Sequence, residues 1–461
     1  MALRRLVNVL NTASVNRTLL KMALFGTDGV RGLANRDLTA ELALDLAVAA
    51  AHILGESGEF RGHRPKAIVG QDSRASGEFL EAAVVAGLAS AGVDVYKVGV
   101  LPTPAIAHLV AETGADLGVM ISASHNPMPD NGIKFFSRGG GKLDDSLEAA
   151  IEARMNESWE RPTGKDVGRV INDESAAERY AFHLLSSLTS SLSGIKVVVD
   201  CANGASSEVA PEVYARAGAE VIAISNKPNG WNINDNCGST YLDNLISKVK
   251  LEKADLGIAH DGDADRCLAI DAEGNVIDGD FIMAILASHL KVPTVVGTVM
   301  SNIGFIKALS ALGIKVEKTQ VGDRYVLENM LANGHKLGGE QSGHIILKEH
   351  ANTGDGLLTA LHLMQVMAET GKSLKELSQV MIRFPQVLVN VRDVDKSKLN
   401  SSATIARAIS DFENGLGDGG RILVRSSGTE PLVRVMVEAE SLEVATQIAN
   451  ELAELVRLEL K

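Results

Sequence analysis

The sequence predicts three α/β units followed by a smaller C-terminal α+β unit. Two patterns and a length lead there. Short apolar runs recur, each followed by a Gly-containing loop and then a helical stretch, and this rhythm stops after Gln386. Strands of four to six mostly β-branched residues alternating with helices mark βαβ units and largely parallel sheets. The 461 residues accommodate two to four domains at roughly 150 residues each.

Taken in order, residues 40–54 read as an amphipathic helix, because Glu41, Asp45 and His52 interrupt an otherwise apolar stretch. Strands follow at 67–70, ahead of Gln71-Asp72-Ser73-Arg74, and at 196–200, ahead of Cys201-Ala-Asn-Gly204. Two more lie at 255–259, before Asp261, and at 293–297, before Thr298. In such sheets ligands meet the loops at the C-terminal ends of strands. Beyond Gln386, Val387, Val389 and Val391 alternate, and strands are expected at 422–424 and 433–437. A last helix carries Ala445, Ile448, Leu452 and Leu455 on one face.

Polar, Gly- or Pro-containing stretches at 161–165, 271–275 and 383–385 mark the joints. The expected domains are 24–170, 171–274, 275–385 and 386–461. Residues 1–23 hold Arg4, Arg5, Arg17 and Lys21 and no acid. They read as a flexible extension, or as a start placed upstream of Met22, in preference to a transit peptide.

Composition narrows the function. Forty-five Lys and Arg against 58 Asp and Glu give a net charge of −13. Phosphate repulsion then disfavours nucleic acid as a partner, and 4% aromatics leaves little for stacking bases. An anionic substrate must be held by a local cluster of cations, metal or backbone N–H groups. No run of about 18 apolar residues exists, so no membrane partner is expected. Cys201, Cys237 and Cys267 are odd in number and widely spaced, which fits a reducing cytoplasm and no zinc or disulfide framework.

Five stretches carry chemistry. Asp261-Gly-Asp-Ala-Asp-Arg266 follows an apolar strand. If it stays extended, alternation puts three carboxylates on one side. Their repulsion calls for a hard divalent cation, Mg²⁺, with oxygen ligands. An EF-hand loop does not fit, since Arg266 and Ala272 stand where Gly and Glu would be needed. Ile121-Ser-Ala-Ser-His-Asn-Pro127, with Lys134 shortly after, sits at another strand end. Ser124 there suits a phosphoryl carrier near the metal better than a hydrolase nucleophile, as no G-x-S-x-G elbow exists. Arg425-Ser-Ser-Gly-Thr-Glu-Pro431 with Arg434 combines hydroxyls, a glycine and guanidinium groups into an anion nest. In Gly338-Gly-Glu-Gln-Ser-Gly-His344, Glu340 and Ser342 suit vicinal sugar hydroxyls and His344 can titrate near neutrality. Phe25-Gly-Thr-Asp-Gly-Val-Arg-Gly32 reads as a tight glycine loop that places Arg31 to meet an anion.

In this order the five motifs resemble those of the α-D-phosphohexomutase superfamily, from about Leu24 to the C-terminus. Asn232-Ile-Asn-Asp-Asn-Cys-Gly-Ser-Thr240, Val321-Gly-Asp-Arg-Tyr-Val326 and Gln341 bring the resemblance closest to its bacterial phosphoglucosamine mutase branch. The extension before Leu24 departs from that pattern. The resemblance implies three related α/β domains with mixed sheets and a C-terminal α+β domain around a central active-site cleft. It implies Ser124 as the phosphoserine, and Asp261, Asp263 and Asp265, with a phosphate oxygen on Ser124, as holders of Mg²⁺. Glu340 and Ser342 would bind sugar hydroxyls. Arg425, Ser426, Ser427, Gly428, Thr429 and Arg434 would grip the phosphate that is not reacting. Arg31, Lys134, Arg266 and His344 match positions near the reacting phosphate or in proton transfer.

The implied activity interconverts glucosamine 6-phosphate and glucosamine 1-phosphate through a 1,6-bisphosphate, on the route to UDP-N-acetylglucosamine. Glucosamine 1,6-bisphosphate or glucose 1,6-bisphosphate would serve as activator. A homodimer and an activating kinase or autophosphorylation are implied in the same way. A phosphomannomutase or phosphoglucomutase differs only in what reads the C2 substituent. A phosphatase using Asp261 as nucleophile leaves Ser124 and the anion nest unexplained. A non-enzymatic sugar-phosphate sensor needs neither Ser124 nor three metal carboxylates.

Overall fold

A computed structural model describes residues 24–26, 28–58, 62–427 and 432–461. The expected extension 1–23, and Gly428 and Thr429 of the anion nest, lie outside the described residues.

The first sheet has seven strands: β1 (Phe25–Gly26), β2 (Gly29–Leu33), β3 (Lys66–Gln71), β4 (Asp94–Val100), β5 (Leu117–Ile121), β6 (Asp130–Ser137) and β7 (Val170–Asn172), in the order β1-β2-β6-β5-β3-β4-β7. The second contains β8 (Lys196–Asp200), β9 (Glu220–Ile224), β10 (Leu256–Ala259), β11 (Leu268–Asp271) and β12 (Val276–Ile277), ordered β12-β11-β10-β8-β9. The third is β14-β13-β15-β16, from β13 (Thr294–Thr298), β14 (Lys315–Thr319), β15 (Leu337–Gly339) and β16 (Ile345–Leu347). The last is antiparallel, β17-β19-β18, from β17 (Gln386–Arg392), β18 (Gly420–Ser426) and β19 (Leu432–Ala439).

One four-strand plan is used three times. In each α/β sheet the first core strand lies between the second and third and runs parallel to both, while a fourth pairs antiparallel with the third. The second and third sheets repeat it with β8, β9, β10, β11 and with β13, β14, β15, β16. The sheets are therefore mixed, as the resemblance implied, and not largely parallel as the strand rhythm alone suggested, because that rhythm does not reveal strand direction. At the joints, β7 pairs with β4 of the first sheet as far as Asn172, and β12 pairs with β11 of the second as far as Ile277.

Helix boundaries follow local chemistry. The helix Ala40–Ser57 starts at Thr39, whose side chain accepts from Leu42 N–H, and ends at Gly58 with φ 95°. Gly87 lets its neighbour Ala75–Ser90 approach closely, since a Cβ there would lie 2.7 Å from Leu44 O. The C-terminal helix Leu442–Glu459 buries Ala445, Ile448 and Leu452, with Leu455 at the margin. One apolar core runs through the first three domains, from Ile68 and Ile106 to Val199, Ile282 and Leu361. The fourth domain has its own. No helix among the described residues is long and apolar enough to cross a membrane.

Candidate active site

The repeated plan positions the chemistry. Each loop between the third and fourth core strands carries one motif: the Ser124 loop between β5 and β6, the aspartate loop between β10 and β11, and the Glu340–His344 turn between β15 and β16. Strand ends are fixed by the sheets, so three loops from three domains converge with little freedom.

Ser124 is buried at 1% exposure and has φ 53°, the left-handed region that side chains rarely adopt. Its Oγ donates to Asp261 Oδ2 at 2.6 Å and lies 3.3 Å from His125 Nδ1. Burial, then the Arg266 and Arg31 charges, push His125 down to about 4, so its ring is neutral.

The three aspartates meet as expected but not by strand alternation. The chain turns instead, with Ala264 N–H donating to Asp261 O at 3.1 Å and Ala264 at φ 55°. One oxygen from each carboxylate lies within 4.8 Å of the others. Oδ1 of Asp261, Asp263 and Asp265 is in every case buried without a hydrogen-bond partner. Burial, then Asp265 and Asp263, push Asp261 up to about 7. Three clustered carboxylates, each with an oxygen that no protein donor reaches, fit a hard divalent cation. The second oxygens are held by protein: Asp263 Oδ2 accepts from Thr103 Oγ1 at 2.6 Å and Lys134 Nζ at 2.8 Å.

Around the aspartates runs a closed ring of charge. Lys134 joins Asp263 and Asp28, at 2.9 Å from the latter, and approaches Asp265 at 4.0 Å. Lys142 joins Asp28 to Asp323. His344 closes the circuit, with Nδ1 3.6 Å from Asp265 and Nε2 3.6 Å from Asp323. Burial opposes charge on Lys134, but Asp263, Asp28 and Asp265 outweigh it and hold the ammonium firmly protonated. His344 is pulled two ways. Against burial, Asp265 and Asp323 push it up to about 9. Gly354 N–H lies 3.1 Å from Nε2.

Arg31 lies on β2, which forms a hairpin with β1 where the sequence suggested only a loop. It pairs with Asp28 and donates to Ala123 O at 3.2 Å. Arg266 approaches Asp261 and Asp265 at 3.9 Å each and bridges to His344 through the backbone. Glu340 accepts from Gly322 N–H at 3.0 Å, and Ser342 Oγ is buried without a partner. Arg425 and Arg434 face each other directly across β18 and β19. Ser426 Oγ donates to Lys396 O at 3.2 Å, and Ser427 N–H donates to Leu432 O at 2.9 Å.

Sequence reasoning missed Asp28, Lys142 and Asp323. Asp28 and Asp323 lie inside stretches it singled out, but no spacing rule joins residues from different domains.

Four family models match the chain in order: phosphoglucomutase/phosphomannomutase alpha/beta/alpha domain I over residues 22–161, domain II over 178–274, domain III over 278–384, and the C-terminal domain over 388–455. The chain belongs to this family. A phosphoglucosamine mutase of Nocardioides sp. is 61% identical over 443 residues, which cover 95% of this chain and 99% of that relative. The phosphoglucosamine mutase of Streptomyces griseus is 60% identical over 445 residues, covering 94% and 98%. A crystal structure of a phosphoglucomutase/phosphomannomutase family protein from Burkholderia thailandensis shares the fold, with a TM-score of 0.82 at 23% identity over 95% of this chain and 98% of that one. Like other members of the family, the chain is an isomerase of the mutase type.

Proposed function

We infer that this chain is a phosphoglucosamine mutase, interconverting glucosamine 6-phosphate and glucosamine 1-phosphate. The observation that carries the reading is the buried Ser124 hydroxyl, 2.6 Å from one of three clustered aspartates, each of which has an oxygen without a hydrogen-bond partner. The 61% identity to a phosphoglucosamine mutase over nearly all of both chains supports the amino-sugar branch.

In this reading Ser124 carries the phosphoryl group. It gives the group to the sugar 1-hydroxyl, and the resulting 1,6-bisphosphate turns over and returns its 6-phosphate to Ser124. Asp261, Asp263 and Asp265 would hold Mg²⁺, which when bound would neutralise charge on the transferring group. Lys134 and Arg266 add fixed positive charge beside the same carboxylates. Arg31 and His344 stand near the reacting phosphate, where the family resemblance places proton transfer. Glu340 and Ser342 orient the sugar. Arg425, Ser426, Ser427 and Arg434 hold the distal phosphate by a nest that reads phosphate geometry and not the carbon bearing it.

Glucosamine or glucose 1,6-bisphosphate starts the cycle by phosphorylating Ser124, with a kinase or autophosphorylation as the alternative source. The family likeness also implies a cytoplasmic homodimer.

A coupled assay with Mg²⁺ and a trace of sugar 1,6-bisphosphate tests the reading. It compares the 6-phosphates of glucosamine, glucose and mannose, with Ser124→Ala as control. We expect at least a tenfold preference in kcat/KM for the amino sugar, about 1.4 kcal/mol, and no turnover by Ser124→Ala. Preference for glucose or mannose phosphate overturns the substrate, and full activity in Ser124→Ala overturns the carrier.

A further inference from the structure

We propose that Arg74 and Asn234 are positioning residues that act as one clasp, with a jaw from each of the first two domains, fixing the Ser124 loop against the aspartate loop. The inference rests on reading Ser124 as the phosphoryl carrier. Neither residue belongs to the five motifs, and neither bonds the Ser124 hydroxyl, whose hydrogen bonds go to Asp261 and His125.

The two side chains grip the same two atoms. Arg74 Nη2 donates to Ser124 O at 3.0 Å and Asn126 O at 2.8 Å, and Nη1 donates to Pro127 O at 2.6 Å. Asn234 Nδ2 donates to Ser124 O at 2.9 Å and Asn126 O at 3.1 Å. Each carbonyl thus receives two donors, which fills both of its lone pairs. Arg74 is 1% exposed and held in place by Asp72, with Nε 3.0 Å from Oδ2. The same Asp72 oxygen accepts from Ser122 Oγ at 2.6 Å, and that hydroxyl accepts from Ser124 N–H at 2.9 Å. Both backbone polar groups of Ser124 are therefore tied through Asp72 and Arg74.

The loop needs such a grip. Ser124 at φ 53° would relax to a commoner conformation if released. Asn234 is itself left-handed, at φ 57°, on a stretch of the second domain that reaches back to the first, where Ala75 N–H donates to Gly230 O at 2.9 Å. The aspartate loop packs flat against the clasp: a Cβ on Gly262 would lie 2.6 Å from Ser124 O and 2.9 Å from Asn234 Nδ2. Asn234 thus sets the Ser124 loop and the aspartate loop at one fixed separation. A serine that both gives and takes a phosphoryl group must occupy the same place in each half-reaction, and a misplacement of about 1 Å costs on the order of 100-fold in rate.

The test uses the full chain and the variants Asn234→Ala, Asn234→Asp and Arg74→Lys. Asn234→Asp keeps the shape but turns an acceptor toward two carbonyls. Four readouts are compared: kcat, KM for glucosamine 6-phosphate, Tm, and the rate at which Ser124 gains phosphate from glucose 1,6-bisphosphate, followed by intact mass. We expect kcat to fall at least tenfold in Asn234→Ala and further in Asn234→Asp, with KM within twofold. Ser124 phosphorylation should slow by the same factor as kcat. Should Arg74→Lys not fold, the two Asn234 variants decide. Wild-type kcat in folded Asn234→Ala, equal effects of Ala and Asp, or a raised KM at constant kcat would overturn the clasp. Wild-type protein that phosphorylates Ser124 but does not turn over glucosamine 6-phosphate would overturn the substrate reading and leave the clasp measurable. Wild-type protein that never phosphorylates Ser124 would overturn both.

Discussion

The aspartate cluster makes a quantitative statement about pH and metal. Without a cation, burial and two neighbouring carboxylates push Asp261 up to about 7, while Asp265, facing His344 and Lys134, stays ionised. Below pH 7 the empty site therefore holds a proton on Asp261 that an incoming divalent cation must displace. The sign follows: affinity is highest above pH 7 and weakens as pH falls through it. One displaced proton weakens apparent affinity about twofold at pH 7, about tenfold at pH 6 and about 100-fold at pH 5, or about 1.4 kcal/mol per unit well below 7. Isothermal titration of unphosphorylated protein with Mg²⁺ at pH 5.5, 6.0, 7.0 and 8.0 measures it, with protons released counted from two buffers of different ionisation enthalpy. Phosphoserine must be absent, because Ser124 Oγ itself donates to Asp261. Mg²⁺ affinity that stays flat from pH 6 to 8, with no proton released, would refute the reasoning. So would an Asp261→Asn variant that still binds and keeps the wild-type pH slope.

Two predictions concern the joint between the third and fourth domains. Glu438 is fully buried and paired with Arg421 at 2.7 Å, and it accepts from Ile303 N–H at 2.8 Å. Glu438→Gln removes one partner of a buried ion pair and should cost about 3–5 kcal/mol, read as a lower urea midpoint for the C-terminal domain; a loss under 1 kcal/mol would contradict it. Nearby, burial and then Asp278 push Asp280 up to about 8. A carboxyl raised in the folded state favours folding where it is protonated, so its contribution is lost as pH climbs from its unfolded value near 4 toward 8, at up to about 1.4 kcal/mol per unit. Asp280→Asn should flatten that part of the pH–stability curve, and an unchanged curve would exclude it.

How much was legible in the sequence depended on whether the physics was local. Asp261, Asp263 and Asp265 were legible because their repulsion is written into five consecutive residues. The strands at β8, β10 and β13 were legible because a buried parallel strand is a short apolar run. The mixed direction of the sheets was legible only through the motif resemblance, since β6, β11 and β16 read no differently from parallel strands in the strand rhythm. Nor did that rhythm show the internal repeat: three sheets share a plan through hydrogen-bond order, which side chains of unlike sequence can satisfy equally well. Lys142 was invisible for a further reason. Its partners, Asp28 and Asp323, are 114 and 181 residues away, and only folding makes the three into a unit. The turn at Ala264 shows the opposite case, where the expected cluster formed by a route other than the one expected.

The fourth domain departs from the repeat, and the anion nest proposed for it yields the last prediction. Arg425 and Arg434 are direct cross-strand neighbours, and burial together with the Arg434 charge lowers the Arg425 guanidinium's affinity for its proton. Like charges opposite one another in a sheet destabilise it by about 0.2–1 kcal/mol. An enzyme that must release its distal phosphate in every cycle can use that repulsion, because a nest that is comfortable when empty has no electrostatic reason to close on a substrate. Two consequences separate this from a merely tolerated surface pair. Arg425→Gln should leave the ligand-free domain as stable as wild type or slightly more so. Inorganic phosphate should raise the wild-type Tm and raise the variant's by less than half as much, and KM for the sugar phosphate should rise roughly 10- to 100-fold, as expected for loss of a charge-assisted hydrogen bond of about 1.5–3 kcal/mol. If Arg425→Gln instead lowers the ligand-free Tm by several degrees, or phosphate stabilises variant and wild type alike, the two arginines are structural and the phosphate is held elsewhere.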